Sequence, residues 1–241
     1  MTAEIGTLEA QHPRVRVVLN RLIFRGMLFS SGLVAIGLYQ FNRRLAWRFA
    51  KAQARNLTRL CGVRVVVRGA ERLGPGPYVF TPNHQSHYDI AALLGYLPGE
   101  NRFAAKEALF REPILGAVMR TLGMIPIDRN DSEGSIRRLR SLRDRKFSVV
   151  IFPEGTRSGD GALLPFKKGA FVAAIDLEMP IVPVVCRGSA DVMPKGGYLS
   201  ILPGTVEIDV LEPIPTAGLD YEDRDRLRDM VRERITAVLL A

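Results

Sequence analysis

An imidazole and a carboxylate stand five positions apart in the segment 83–89, Asn-His-Gln-Ser-His-Tyr-Asp. His84 and Asp89 follow a short apolar run at 78–80, which predicts a buried strand. If a helix begins near Ser86, both side chains lie at the carboxyl edge of a sheet, where open α/β sheets bind their ligands. An imidazole titrates near neutral pH, and a nearby carboxylate orients it and stabilises its protonated form. The pair therefore has the parts of a general base.

The same residues permit a purely structural interpretation. Ser86-x-x-Asp89 also matches a helix capping box, in which Asp89 only satisfies backbone donors. The residues alone leave both interpretations open. His87 lies two positions from Asp89 inside the predicted first turn, where side chains at that offset do not face each other. We therefore interpret His87 as a packing or substrate-lining residue.

Three cations each follow a predicted strand: Lys106, Arg129 and Arg157. The carboxyl ends of parallel strands share one edge of a sheet, so these side chains are placed to bind a phosphate there. Arginine is suited to this task because its guanidinium donates two parallel hydrogen bonds. For any one of the three, a solvated charge at a strand end is the alternative.

The composition limits the classes of function. At 241 residues, with 47% hydrophobic and 24% charged residues, the chain suits one globular domain with short appendages. A net charge of +9 attracts nucleic acid, anionic lipid or phosphorylated substrates. Nucleic acid is disfavoured, because the cations cluster beside an apolar stretch and no aromatic-basic motif is present. Two cysteines without metal spacing indicate buried thiols, and three histidines make a histidine-rich metal site improbable.

The apolar stretch at 26–42 carries no charge and is shorter than the roughly 20 residues of a membrane-spanning helix. No small-residue cleavage site follows it, so we do not expect a secretory signal peptide. We predict a helix that dips into one leaflet; a tilted span and a buried core helix are the alternatives. The next segment carries a stripe of cations at helical spacing, which suits either an anionic membrane surface or a solvated helix face: Arg44, Arg48, Lys51, Arg55 and Arg59. Residues 1–61 are thus predicted to be a membrane-associating helical segment.

Residues 62–241 are predicted to be an α/β domain with a mostly parallel sheet flanked by helices, because short apolar runs alternate with helical segments. The predicted strands are 63–67, 78–81, 102–105, 124–127, 149–152, 181–186, 199–202 and 206–211. The predicted helices are 87–96, 112–121, 133–145, 168–178 and 220–239. Glycine-containing turns near 196 and 204 predict that the last strands form a hairpin-like addition. Pro183 predicts that its strand is an edge strand or carries a bulge.

Four blocks resemble the glycerolipid acyltransferases, in order and separation, over roughly residues 62–215. They are Asn83-His84-Gln85-Ser86-His87-Tyr88-Asp89, Gly123-Met124-Ile125-Pro126-Ile127-Asp128-Arg129, Phe152-Pro153-Glu154-Gly155-Thr156-Arg157-Ser158 and Ile181-Val182-Pro183-Val184. The histidine-x4-aspartate pair alone is weakly specific. Its combination with the glutamate-glycine-threonine-arginine block is strongly specific.

The resemblance implies transfer of a fatty acyl group from acyl-CoA or acyl carrier protein to 1-acylglycerol 3-phosphate, giving phosphatidic acid. It implies that His84 is the base, that Asp89 orients it, and that the acceptor site is lined by Lys106, Arg129, Glu154, Gly155 and Arg157. No metal or tightly bound cofactor is implied, and no Gly-x-Ser-x-Gly nucleophile elbow is present. The expected location is the cytoplasmic face of a membrane. Glycerol 3-phosphate or another lysolipid is an alternative acceptor, and a non-catalytic lipid-phosphate binding protein is an alternative class.

Overall fold

A computed structural model of the chain describes residues 14–128, 131–141, 146–158, 161–195 and 200–241. The helices are α1 (Arg14–Phe41), α2 (Arg43–Leu60), α3 (Tyr88–Tyr96), α4 (Pro113–Thr121), α5 (Ser132–Arg140), α6 (Gly169–Asp176), α7 (Ser189–Val192) and α8 (Arg224–Leu240). The strands are β1 (Val63–Arg68), β2 (Val79–Pro82), β3 (Asn101–Lys106), β4 (Ile125–Ile127), β5 (Ser148–Val150), β6 (Ile181–Arg187) and β7 (Gly204–Val210). Arg129, residues 142–145 of the helix predicted at 133–145, and Leu199 lie outside the described residues.

The seven strands form one sheet in the order β1-β7-β6-β2-β5-β3-β4. Five of them, β2 to β6, run parallel, whereas β7 pairs with β6 in the antiparallel sense and carries β1 parallel to itself. The prediction of an α/β fold with a mostly parallel sheet is confirmed. The carboxyl ends of β2, β5, β3 and β4 lie side by side along one edge, which we call the catalytic edge.

Helices cover both faces of the sheet. Successive residues of β2 point to opposite faces and are both fully buried: Phe80 packs in the cluster with α2, α3 and α7, and Val79 packs in the cluster with α5, α6 and α8. A strand buried on both faces needs a continuous apolar run, which is why runs of this kind marked the strands in the sequence. Both cysteines are free and buried, as predicted.

The two amino-terminal helices form an antiparallel pair. Asn42 adopts an extended conformation between them and its side chain accepts a hydrogen bond from the Leu45 amide, which caps α2. At the other end of the pair, Arg16 Nη2 donates to the Leu60 carbonyl at 3.1 Å and Asn20 Nδ2 donates to the Cys61 carbonyl at 3.0 Å. The 28 residues of α1 span about 42 Å at the rise of an α-helix.

The helix α1 begins twelve residues before the predicted apolar stretch, because the helical apolar pattern continues between Arg16, Arg21 and Arg25. Among the described residues, one helix, Val15–Phe41, is long and apolar enough to cross a membrane by length and composition. Only about a tenth of its most apolar window is buried against the protein.

The cationic stripe of α2 divides between two environments. Lys51 Nζ donates to the Gly99 carbonyl at 3.1 Å, and Arg55 Nε donates to the Gly95 carbonyl at 2.7 Å. The Gly95 carbonyl lies in the last turn of α3, where the helix dipole favours a cation, and Gly99 lies three residues beyond its end. The other three arginines of the stripe, Arg44, Arg48 and Arg59, are exposed. The stripe therefore serves both to brace α3 and to present positive charge to the surroundings.

Two local predictions are wrong. Residues 200–202 form no strand, because their backbone groups pair elsewhere: the Leu202 amide donates to the Val192 carbonyl at 2.8 Å, and the Ile201 carbonyl accepts from Asn20 Nδ2 at 2.9 Å. The carboxyl-terminal addition to the sheet is consequently β7 alone, antiparallel to β6.

Pro183 lies in an interior strand, not an edge strand. Its carbonyl accepts a hydrogen bond from the Leu211 amide at 3.0 Å, one residue beyond the end of β7. The backbone nitrogen and carbonyl of Pro183 both face β7, because the two groups of one strand residue point to the same side. The only hydrogen bond that proline cannot donate would therefore go to Leu211, where the pairing with β7 ends. The sheet therefore accommodates a proline where the ladder with β7 is ending.

Candidate active site

His84 and Asp89 are in direct contact at the catalytic edge. The chain leaves β2 at Pro82 and enters α3 at Tyr88, so the connecting loop brings the two side chains together. His84 Nδ1 lies 2.8 Å from Asp89 Oδ2. Asp89 is fully buried, and His84 is 9% exposed. Because an ionised carboxylate only accepts hydrogen bonds, Nδ1 carries the hydrogen, and Nε2 is the nitrogen left to accept a proton.

Asp89 is held in place by its own loop. The same Oδ2 accepts hydrogen bonds from the backbone amides of Gln85 and Ser86, both at 2.9 Å. The Ser86 hydroxyl accepts from the Tyr88 amide at 3.1 Å and donates to the Met193 carbonyl at 2.7 Å. The capping interpretation and the catalytic interpretation therefore describe one carboxylate. The backbone donors fix its orientation, and that orientation directs it at the imidazole.

Phe152 covers one face of the imidazole. Its ring stacks on His84 with centroids 3.9 Å apart and an angle of 23° between the planes. Stacking limits rotation of the histidine ring and shields it from water on that side. The sequence placed Phe152 at the end of an apolar run and at the start of the third resembling block, but it did not predict this contact. Its place in that block is the signal that could have indicated a role at the site.

The loop after β5 binds the backbone of His84 on both sides. Glu154, 3% exposed, accepts through Oε1 from the His84 amide at 2.7 Å and through Oε2 from the Leu164 amide at 2.9 Å. The Ser158 amide donates to the His84 carbonyl at 2.9 Å. Burial raises the pKa of the Glu154 carboxyl, and the two backbone donors oppose that rise. The predicted contact of Glu154 with the acceptor stays a prediction, but the partners of both its oxygens were not apparent from the sequence.

Arg157 belongs to the same loop and is partly exposed. The amide of the next residue, Ser158, bonds the His84 carbonyl, so Arg157 lies beside the histidine–aspartate loop. Partial burial lowers the pKa of its guanidinium, and the negative charge of Asp89 raises it again. An arginine remains a cation at any such shift. Within the described ranges no hydrogen bond occupies this guanidinium. It is therefore free to bind an anion at the histidine–aspartate loop.

His87 lies in the same loop as His84 and is exposed. Desolvation first, then the positive charges of Arg157 and His84, lower the pKa of His87 to about 4, although Asp89 partly opposes them. His87 is thus neutral near pH 7, and its ring makes no contact with Asp89 comparable to that of His84. This agrees with its interpretation as a lining residue.

The other predicted substrate-binding residues differ in their distance from His84. Gly155 has a left-handed φ of 67° and closes a turn in which its amide donates to the Phe152 carbonyl at 3.0 Å. That conformation favours glycine, whatever its role towards a ligand. Lys106 ends β3 at the catalytic edge and is exposed. It lies two strands from β2, about 10 Å away at the usual strand spacing.

Arg129 is outside the described residues, so its predicted role stays a prediction. The strand before it, β4, ends at Ile127 on the catalytic edge and is an outermost strand of the sheet.

In the described part of the chain, no three His, Cys, Asp or Glu side chains are grouped so that they could hold a metal ion.

Comparisons with known proteins identify the family of the chain. The sequence profile of the family described as Acyltransferase matches residues 64–187. The chain belongs to this acyltransferase family. Among curated relatives of this acyltransferase, human 1-acyl-sn-glycerol-3-phosphate acyltransferase alpha is 37% identical over 184 residues, which is 74% of this chain and 65% of the relative. The chloroplastic acyltransferase BAT2 of Brassica napus, with the same activity in its name, is 37% identical over 71% of this chain and 51% of its own length.

A solved structure resembles the acyltransferase over most of its length. The 1-acyl-sn-glycerophosphate (LPA) acyltransferase PlsC from Thermotoga maritima superposes with a TM-score of 0.77 and 26% identity, covering 92% of this chain and 94% of that one. The curated relatives are longer: this chain spans only 65% of the human protein. Likeness to PlsC therefore extends beyond the matched family segment to nearly the whole described fold.

Proposed function

We propose that this chain transfers a fatty acyl group from an acyl thioester to the sn-2 hydroxyl of 1-acylglycerol 3-phosphate, which yields phosphatidic acid. The observation that carries the proposal is the 2.8 Å contact between His84 Nδ1 and Asp89 Oδ2, with the cation Arg157 in the loop that bonds the His84 backbone. A binding protein needs a cation for the phosphate, but it has no use for an oriented base. The relatives named as 1-acyl-sn-glycerol-3-phosphate acyltransferases support this acceptor over others.

The reaction needs one proton acceptor and no protein nucleophile. His84 Nε2 takes the proton of the acceptor hydroxyl as its oxygen attacks the thioester carbonyl carbon. The carbon–sulfur bond then breaks, and the departing thiolate takes the proton from the imidazolium. Asp89 stabilises the imidazolium between these steps. General-base catalysis of this kind contributes about 10²–10⁴-fold in rate.

The acceptor phosphate would bind to the cations of the catalytic edge. Arg157 is the principal partner, because its planar guanidinium matches two phosphate oxygens with two hydrogen bonds. Lys106 and Arg129 would add positive charge from the neighbouring strands, and Glu154 and Gly155 would line the site where the loop approaches the glycerol. The donor is acyl-CoA or acyl carrier protein as co-substrate, and no tightly bound cofactor takes part.

Residues 1–61 would associate with the membrane and residues 62–241 would form the catalytic domain. On α1, Val15, Leu22 and Leu33 are 79%, 63% and 64% exposed, an apolar surface that a lipid leaflet would cover. The opposite side of α1 packs on the protein along its length; a Cβ at Gly32 would lie 2.7 Å from Val118 Cγ2 in α4. A helix held in this way would lie along the bilayer interface, which supports a monotopic protein. Its place on the cytoplasmic face is proposed from the family resemblance.

The test is lipid mass spectrometry of products formed by the purified protein from single acceptors. We expect phosphatidic acid from 1-acylglycerol 3-phosphate with either acyl-CoA or acyl carrier protein, and little product from glycerol 3-phosphate or other lysolipids. Preferential acylation of another acceptor would replace the proposed substrate. His84→Ala should abolish turnover and leave binding to anionic vesicles unchanged. A wild-type protein that binds vesicles and acylates none of these acceptors would instead be a non-catalytic lipid-phosphate binding protein.

A further inference from the structure

Arg232, on the carboxyl-terminal helix α8, reaches into the segment that follows the catalytic loops. Its Nη1 donates to the Leu164 carbonyl at 2.6 Å, and its Nη2 lies 3.3 Å from the Leu163 carbonyl. The guanidinium carbon also lies 5.4 Å from the ring centroid of Phe166, in cation–π geometry. Arg232 thus binds two consecutive carbonyls and the aromatic ring two residues further on.

The peptide between Leu163 and Leu164 lies between two charges. Its carbonyl accepts from Arg232, and its N–H donates to Glu154 Oε2 at 2.9 Å. A peptide group with a cation at its oxygen and a carboxylate at its N–H is polarised in one direction, and hydrogen bonds in such a chain strengthen one another. The peptide therefore transmits the position of the guanidinium to the carboxylate.

Glu154 passes that restraint to the imidazole-bearing residue. Its other oxygen, Oε1, accepts from the His84 amide at 2.7 Å. A continuous sequence of hydrogen bonds thus runs from α8 through one peptide and one buried carboxylate to the backbone of His84. Of the residues joined by these hydrogen bonds, only His84 belongs to the histidine–aspartate loop.

The chain around Leu163 is also anchored independently of Arg232. The Lys167 amide donates to the Pro153 carbonyl at 2.8 Å, and Phe166 is buried in the core cluster that contains α6 and α8. Lys168 Nζ pairs with Asp225 Oδ2 at 3.0 Å. Removal of Arg232 would therefore loosen the peptide at 163–164 and leave the fold in place.

We propose that Arg232 is a positioning residue, which holds His84 in register through the Leu163–Leu164 peptide and Glu154. Arg232 lies beyond the segment 64–187 that matches the acyltransferase family, and it touches no reacting atom. The proposal rests on the proposed function, because it assigns His84 as the base. It makes α8 a part of the catalytic apparatus and not only a cover for the sheet.

Arg234 supplies a matched control. It stands on the same helix and also donates to a backbone carbonyl, that of Glu212 at 3.1 Å, which is remote from the catalytic loops. Steady-state kinetics of R232A, R232K and R234A should be compared with those of the wild type. We expect R232A to lower kcat about 10- to 100-fold with KM for both substrates nearly unchanged, since small misplacements of a catalytic group act on the chemical step. R232K keeps the charge and one donor nitrogen, so it should recover part of the loss. R234A should behave as wild type.

Amide hydrogen exchange separates positioning from general destabilisation. Peptides that contain the His84 and Leu164 amides should exchange faster in R232A than in R234A, while exchange in the central strands stays equal. In the double variant R232A/E154Q the loss of kcat should be smaller than the product of the single losses, because both residues act through the same bonds.

Two results would overturn the proposal: equal kcat in R232A and R234A, or equal exchange at His84 and Leu164. Should R232A fail to fold, R232K compared with R234K decides the same question. A wild-type protein without acyltransferase activity would refute the proposed function, and the exchange comparison would still decide whether Arg232 restrains His84.

Discussion

The side chain of Asn83 pairs with the backbone of Cys186 as if it were another strand residue. Its Oδ1 accepts from the Cys186 amide at 2.7 Å, and its Nδ2 donates to the Cys186 carbonyl at 3.0 Å. The strand β2 ends at Pro82, so the amide side chain continues the pairing with β6 by one position. The main chain is thereby released to turn, and His84 follows immediately.

Asn83→Ala should destabilise the protein. It leaves the amide and carbonyl of Cys186 buried without partners, and each such group costs about 1–3 kcal/mol. We expect the free energy of unfolding, measured by urea denaturation, to fall by about 2–4 kcal/mol. Thr81→Val is the control, because it removes a single long bond, 3.3 Å, from a buried residue of the same strand to β6. An N83A loss no larger than that of T81V would contradict the assigned role.

Asp89→Asn should leave the loop folded but remove most of the activity. The asparagine oxygen still accepts from the amides of Gln85 and Ser86, but a neutral amide no longer stabilises the imidazolium of His84. We expect kcat to fall about 10²–10⁴-fold, with an unchanged thermal unfolding midpoint. A variant that retains more than a tenth of the wild-type kcat would exclude Asp89 as the orienting carboxylate.

Arg157→Lys should weaken binding of the acceptor specifically through its phosphate. Lysine keeps the charge but loses the second parallel hydrogen bond, and a hydrogen bond to a charged group contributes about 1.5–3 kcal/mol. We expect KM for 1-acylglycerol 3-phosphate to rise about 10- to 100-fold, and KM for the thioester donor to stay constant. The neutral acceptor 1-acylglycerol provides the comparison: the wild-type preference for the phosphorylated acceptor should largely disappear in R157K. An equal rise in KM for both acceptors would assign Arg157 a different role.

His87→Gln should change the pH dependence of stability without changing that of catalysis. The pKa of His87 is lowered to about 4 in the folded protein, against an ordinary value of 6.5. The unfolded chain therefore binds more protons between these values, and the wild-type free energy of unfolding falls as the pH drops from 6.5 to 4. H87Q lacks this contribution, so the difference in stability between the two proteins should shift in favour of H87Q on acidification.

The measurement is urea denaturation of both proteins at pH 7, 5.5 and 4.5, beside a pH profile of kcat. If the stability difference between the two proteins is independent of pH, His87 has the same pKa in the folded and the unfolded chain, which would contradict the prediction. A kcat profile of H87Q displaced from that of the wild type would give His87, and not only His84, a part in proton transfer.

The sequence predicted the parts of the site that depend on local pattern. Strands buried on both faces give continuous apolar runs, and residues at the carboxyl ends of parallel strands lie at one edge. This placed His84 and Lys106 at that edge, and the loop that carries Arg157 reaches it through the bond from the Ser158 amide to the His84 carbonyl. The contact of His84 with Asp89 could also be predicted from local pattern, because the two residues lie five positions apart in one short loop.

Contacts between residues distant along the chain could not be predicted from the sequence. Glu154 binds the amide of His84, 70 residues away, and no spacing rule relates the two. The strand predicted at 199–202 failed similarly, because its backbone donors and acceptors are taken by Asn20 and α7, contacts set by tertiary packing. The prediction of an edge strand at Pro183 was wrong for a related reason. Proline is excluded from interior strands because it cannot donate a backbone hydrogen bond, and at Pro183 the pairing with β7 has already ended.

The direction of α1 relative to the sheet has a consequence for how substrate arrives. Arg16 and Asn20 meet the chain just before β1, and β1 starts at the catalytic edge because it runs opposite to β2. The helix then follows the strands towards the far edge, where Trp47 and Leu122 pack on Ala35. If the exposed side of α1 rests on lipid, as proposed above, the strands would run along the membrane surface and the catalytic edge would face sideways along the leaflet. A lysolipid would then enter by diffusing in two dimensions, without leaving the monolayer for water.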